Sequence, residues 1–207
     1  MYIKAIPKWI QKAFKKITWS ITPDDTQPAV YISFDDGPHP VITNWVLDVL
    51  EEYRAKATFF CVGKNVAQHQ ETYKRIIACG HSVGNHSYSH VKGLRTNTKD
   101  YLANVKQAEQ WIDSKLFRPP YGSLRRKQAH ALIALGYKIT LWSIIAGDWD
   151  HKLSPEECLR TILKHIKPGD IIVLHDSEKA QRNMQYVLPR LLAYCKERGW
   201  QLKAIEQ

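Results

Sequence analysis

Two carboxylates stand side by side at Asp35-Asp36, between the apolar run Tyr31-Ile32-Ser33-Phe34 and a Gly37-Pro38 turn. Side chains alternate along a strand, so neighbouring carboxylates start out pointing different ways. That suits a division of labour, one group on a metal and the other moving a proton. Taken alone, an Asp-Asp-Gly turn closing a strand is the favoured reading, because Asp-Gly turns are common. Further along, His86 and His90 are four residues apart, a spacing that on a helical turn puts both imidazoles on one face. Imidazole suits zinc and its first-row neighbours, and two histidines with Asp36 leave a coordination position open for water.

Three further stretches carry polar groups at the ends of apolar runs. Arg118 precedes Pro119-Pro120-Tyr121-Gly122, where a guanidinium can pair with a carboxylate and a stiff loop can offer a backbone N–H to an oxyanion; one X-Pro bond there is a candidate for the cis form. Asp148 stands beside the large apolar Trp149. His175 ends the apolar run Ile171–Leu174, where a carboxylate partner would keep it cationic and able to donate a proton. For each of these a purely structural role is the competing reading.

The elements that must position these groups follow from periodicity. The expected strands are Ala29–Phe34, Ala57–Val62, His81–Asn85, Leu116–Arg118, Tyr137–Trp142, Asp170–Leu174 and Trp200–Ala204. The expected helices are Val41–Tyr53, Glu71–Cys79, Lys99–Ser114, Arg125–Leu135, Pro155–Ile166 and Met184–Glu197. Alternating β-α units imply a parallel sheet with helices outside, and about seven such strands suggest a closed or nearly closed barrel with its chemistry at the strands' C-terminal ends. Residues 1–28 read as a separate segment: five lysines and an apolar stripe of isoleucines predict a basic amphipathic helix over residues 1–20, followed by a linker. That helix either lies on an anionic membrane or packs on the domain, which spans 29–207.

The chain has 207 residues, 44% of them hydrophobic, and a formal net charge of +10. One full core fits in that length. The charge favours anionic partners, but no zinc-finger spacing or aromatic-glycine RNA motif accompanies it, so nucleic acid is not expected. The four cysteines form no CxxC pair and read as buried thiols of a reducing compartment. With no apolar export signal, a cytoplasmic or inner-membrane-face location is expected.

In order, Asp35-Asp36-Gly37, His86-Ser-Tyr-Ser-His90, Arg118-Pro-Pro-Tyr121, Asp148-Trp149 and Val173-Leu-His175 resemble the five motifs of the polysaccharide deacetylases, carbohydrate esterase family four, with the NodB homology domain. The resemblance covers roughly residues 29–207. It implies a distorted (β/α) barrel and a divalent metal, usually zinc, with cobalt, nickel, manganese or iron as alternatives. It assigns Asp36, His86 and His90 to the metal, Asp35 as general base and Arg118 as the group that orients it. It makes His175 the general acid, paired with Asp148. Tyr121 would supply the oxyanion N–H, and Trp149 and Val173 would line the pocket for the acetyl methyl. Ser33, Ile145 and Val173 depart from the usual residues of these motifs, Thr, an acid and Leu. The implied substrate is an N-acetylglucosamine unit in a polysaccharide, oligosaccharide or lipid-linked sugar. An O-acetyl esterase and a catalytically silent glycan-binding homologue remain as alternatives.

Overall fold

The computed structural model describes residues 16–24 and 26–206. Among these, eight strands form one parallel sheet: β1 (Ala29–Asp35), β2 (Thr58–Cys61), β3 (Ser82–Asn85), β4 (Leu116–Phe117), β5 (Lys138–Ile139), β6 (Ile144–Ile145), β7 (Ile171–His175) and β8 (Gln201–Leu202). Seven run in the order β5-β4-β3-β2-β1-β7-β6, and β8 pairs with the start of β1. The curled sheet is the expected distorted (β/α) barrel, and β1 pairs with three strands in it, β2, β7 and β8.

Among the described residues, seven α-helices cover the outside: α1 (Ile42–Glu52), α2 (Gly63–Gln68), α3 (Gln70–Ala78), α4 (Thr98–Ala108), α5 (Arg126–Ala134), α6 (Pro155–Leu163) and α7 (Gln181–Glu197). Strand alternation explains the layering. Ile32, Phe34, Phe59, Ile172 and Leu174 point outward into the main core with Val46, Leu50, Val187, Leu188 and Leu191 of α1 and α7. Phe34 and Phe59 stack at 5.0 Å, and truncating either to alanine would cost about 3–5 kcal/mol. A smaller core joins β4 and β5 to α4 and α5 through Tyr101, Val105, Phe117, Leu132 and Ile139. The interior is filled low down by Phe60, Leu116, Ile171 and Ile205. Above that layer Ser33, Asp35, Arg118 and His175 come together beside Val173, which leaves the polar groups at the rim.

Local signals set the helix starts. Ser154 and Glu157 form a reciprocal capping box ahead of α6, with Pro155 in its first turn. At α1 the imidazole of His39 does the capping, accepting from Val41 N and Ile42 N at 3.2 Å each.

The predicted basic helix lies mostly in residues 1–15, outside the described residues. Lys16–Ser20, which the sequence assigns to that helix, form a turn and two isolated bridges instead. Thr18 N donates to Ile139 O at 2.9 Å and Thr18 O accepts from Leu141 N at 2.8 Å, while Ile21 N donates to Gly169 O at 2.8 Å. Sheet-edge pairing here takes the backbone hydrogen bonds that a helix would use. Two short elements escape the periodicity: α2, with Val66 as its buried apolar side chain, and the two-residue β6. All four cysteines are thiols. Among the described residues, no helix is long and apolar enough to cross a membrane.

Candidate active site

Parallel register puts the strand ends at one level, with Asp35 directly opposite His175. Asp35 ends β1 and is 3% exposed. Arg118 follows β4 and is fully buried. Its Nη1 donates to Asp35 Oδ1 at 2.7 Å and to Ser33 Oγ at 2.8 Å. Its Nε and Nη2 donate to the carbonyls of Thr140 and Leu141 at 3.2 and 3.0 Å, and the guanidinium lies 3.9 Å over the Phe60 ring. Such complete pairing is what makes a buried cation tolerable, and removing one partner of a buried pair costs about 3–5 kcal/mol. Ser33 keeps the hydroxyl this network needs, also donating to Ile172 O at 2.9 Å.

Asp36, His86 and His90 cluster beside this pair, each offering one ligand atom within 4.8 Å of the others. His90 Nε2 lies 3.1 Å and His86 Nε2 3.8 Å from Asp36 Oδ1. His86 Nδ1 is 2.7 Å from Arg118 O. A carbonyl can only accept, so this nitrogen carries the proton and Nε2 keeps its lone pair toward the cluster. Burial pushes the His86 pKa down to about 4, against the charges of Asp35 and Asp36, so the imidazole is neutral. Burial also works against the Asp36 carboxylate, but the His90 hydrogen bond and the positive charge of His175 outweigh it and hold the pKa well below the usual range. Two imidazole nitrogens and a carboxylate oxygen at this separation fit a first-row divalent cation.

The two histidines do not ride on a helix. They follow β3 in a loop where Ser87 (φ 62°) and His90 (φ 55°) are left-handed. Side-chain bonds hold this loop: Asn85 Oδ1 accepts from Ser87 N at 2.8 Å, and Asn104 Oδ1 from Tyr88 N and Ser89 N at 3.0 and 3.1 Å. Asp36 (φ 82°) and Tyr121 (φ 60°) are left-handed too. Asn65 Nδ2 pins the Asp36 carbonyl at 2.7 Å.

Across the rim, Asp148 accepts from His175 twice, through Nδ1 at 2.9 Å and the backbone N at 2.7 Å. Burial lowers the His175 pKa, but the charge and hydrogen bond of Asp148, with Asp36 and Asp35 beyond, raise it to about 9. Trp149 meets the His175 ring edge-on at 4.8 Å. Val173 is fully buried on β7, two residues below His175 on the same strand face. The Tyr121 side chain is 63% exposed and its ring sits 4.6 Å from that of His90. The cis X-Pro bond is not in the Pro119-Pro120 loop; among the described residues it is Gly37–Pro38.

The sequence reading missed the supports. Asp176 is 1% exposed; it accepts from Gly37 N at 3.0 Å and from the Thr43 hydroxyl. Burial pushes its pKa up to about 7, against the Thr43 bond and helped by Asp36. A Cβ on Gly37 would stand 2.1 Å from Asp176 Oδ2, which explains the glycine. Asn183 Nδ2 donates to Asp148 O at 3.1 Å. The available signal was a carboxylate directly after His175 at the end of an apolar strand.

A buried carboxylate paired with a guanidinium, a cluster of donors that could hold a cation and a cationic imidazole thus gather around one rim. The polysaccharide deacetylase family model matches residues 22–140. A peptidoglycan-N-acetylglucosamine deacetylase of Bacillus cereus is 30% identical over 198 residues, covering 92% of each chain. A chitooligosaccharide deacetylase of Sinorhizobium fredii is 30% identical over 197 residues, covering 87% of this chain and 91% of its own. The crystal structure of the Bc1960 peptidoglycan N-acetylglucosamine deacetylase superposes with a TM-score of 0.87 at 26% identity, covering 97% of this chain and 95% of its own. The chain therefore belongs to the polysaccharide deacetylase family, hydrolases that act on amide bonds of N-acetylated glycans.

Proposed function

We infer that this chain is a metal-dependent N-deacetylase that hydrolyses the acetamide of N-acetylglucosamine units, with peptidoglycan the first substrate to test and chitooligosaccharides the second. The observation that carries this reading is the buried Asp35–Arg118 pair set between the Asp36–His86–His90 cluster and the His175–Asp148 pair. The relatives named for those two glycans support it.

Asp36, His86 and His90 would hold the cation, zinc first among the candidates. A cation there supplies Lewis acidity toward an acetyl carbonyl and lowers the pKa of water. Asp35 takes the proton of the attacking water, and Arg118, 2.7 Å away, aims that carboxylate. The Tyr121 backbone N–H serves as the oxyanion donor; losing one such donor costs ~2.7–4 kcal/mol. As the C–N bond breaks, His175 gives its Nε2 proton to the leaving nitrogen, because an amine cannot leave as an anion. Acetate and a free amino sugar result, and the proton on Asp35 returns to His175 through solvent. Trp149 and Val173 shape the space for the acetyl methyl. A proton donor held as strongly as His175 favours amide over ester hydrolysis, since an alcohol is the easier leaving group.

The test is acetate release from peptidoglycan, chitooligosaccharides and acetylated xylan, with zinc and with a chelator. Release from the first two that chelator abolishes is expected, and Asp35→Asn should keep its zinc while losing about 10²-fold or more in turnover. Unimpaired release in chelator, release from xylan alone, or a fully active Asp35→Asn would overturn the reading.

A further inference from the structure

The three most exposed large hydrophobic side chains among the described residues are Val41 at 66%, Tyr121 at 63% and Leu94 at 56%. All three sit in loops at the barrel's C-terminal rim, after β1, β4 and β3 respectively. Soluble proteins rarely cluster apolar surface without a use for it. Leu94 and Tyr121 belong to one ledge. The Tyr121 ring leans on His90, and Lys92 Nζ lies 5.5 Å from the Tyr121 ring centroid. Arg125 Nη2 donates to Leu94 O at 2.8 Å, and Arg95 is exposed in the turn Gly93–Arg95.

This ledge is built rather than loose. Gln128 is fully buried beneath it, accepting from Arg125 N at 2.8 Å and donating to Gly93 O and Thr96 O at 3.0 and 3.1 Å. Leu94 N donates to Ser123 Oγ at 3.2 Å. Gly93 is packed so close that a Cβ would stand 2.3 Å from Ser123 O. Two surface loops are thus fixed to each other before any ligand arrives, which removes an ordering cost from binding.

The charge on this ledge is of one sign. No acid occurs in residues 91–99 or 114–147. Asp100, just beyond, is engaged by Asn97 Nδ2 at 2.6 Å. Lys92, Arg95 and Arg125 therefore stand beside an exposed aromatic and an exposed leucine, with no carboxylate among these loops to neutralise them. A flat apolar face for a sugar ring, rimmed by cations, suits an anionic sugar.

Resting on the deacetylase reading, we propose that Lys92, Leu94, Arg95, Tyr121 and Arg125 form a subsite for an acid-bearing sugar unit, one carrying a carboxylate or a phosphate, next to the N-acetyl group being cleaved. The enzyme then selects anionic glycans over neutral ones of equal length.

Calorimetry on the zinc-loaded full chain tests this with two matched pairs: a muramic-acid-containing tetrasaccharide against the neutral N-acetylglucosamine tetramer, and N-acetylglucosamine 1-phosphate against the free sugar. At low ionic strength at least one anionic member should bind about fivefold or more tighter than its neutral partner, and salt should erode the preference. Whichever pair shows it identifies carboxylate or phosphate. Lys92→Gln/Arg95→Gln should bring the ratio close to one, and Lys92→Glu/Arg95→Glu should invert it. Equal binding in both pairs, or a preference that survives both double variants, overturns the subsite. Acetate release from the same samples judges the deacetylase reading separately: acetate without anionic preference sinks only the subsite, and anionic preference without acetate sinks only the deacetylase.

Discussion

His86 and His175 lie on opposite sides of the rim, both shielded from solvent, and their ionisation runs in opposite directions. His86 is 2% exposed and neutral, with a pKa near 4; the His175 side chain is 13% exposed and cationic, with a pKa near 9. Burial alone would lower both. What separates them is the acceptor at Nδ1: a backbone carbonyl for His86, an ionised carboxylate for His175. A carbonyl fixes the tautomer without supplying a charge, which leaves a lone pair for a cation. A carboxylate holds the proton in place, which leaves a donor. In the proposed mechanism one residue type would thus serve as ligand on the β3–β4 side and as acid on the β6–β7 side.

The sharpest way to break this contrast is to remove the cation's anionic ligand. Asp36→Ala should bind less than one zinc per chain by elemental analysis and lose about 10³-fold in turnover, since several kcal/mol of Lewis-acid stabilisation go with the metal. Retained zinc with retained turnover would dissolve the ligand half of the comparison. The acid half is tested by Asp148→Asn. His175 has a raised pKa, so the donor form is present below about 9 and lost as pH rises through it. Without the carboxylate the pKa drops toward 6.5, the alkaline limb of the rate profile moves down with it, and at about pH 8 the rate falls ~30-fold. An unmoved alkaline limb would assign that limb to another group. The smallest effect is expected from Asn104→Ala, which frees the Tyr88 and Ser89 amides of the histidine loop; zinc affinity should weaken about 10-fold while the His175 limb stays where it was.

Much of this arrangement was legible before any coordinates, and the reason is local. Asp35, Asp36, Arg118 and His175 each stand at or just past the end of a strand whose apolar run is visible in the sequence. In a parallel barrel, strand ends converge on one rim. The placing of His86 and His90 on a helix was wrong, because a four-residue spacing carries no information about the left-handed turns at Ser87 and His90. The β6 strand was invisible because two residues show no period. Asn65, Asn104, Asp176 and Asn183 were missed because a polar side chain that supports a neighbour's backbone has no sequence pattern; its role exists only in the partner it meets.

Of the five left-handed non-glycine residues among those described, four (Asp36, Ser87, His90 and Tyr121) gather at this rim. Each carries a conformational penalty of about 1–2 kcal/mol that glycine would relieve. Anyone hardening this scaffold against heat by putting glycine at left-handed positions would be steered straight to its working parts. At Asp36 and His90 the sturdier molecule would have given up two of the three proposed cation ligands, so on that reading robustness and catalysis compete for the same few peptide units.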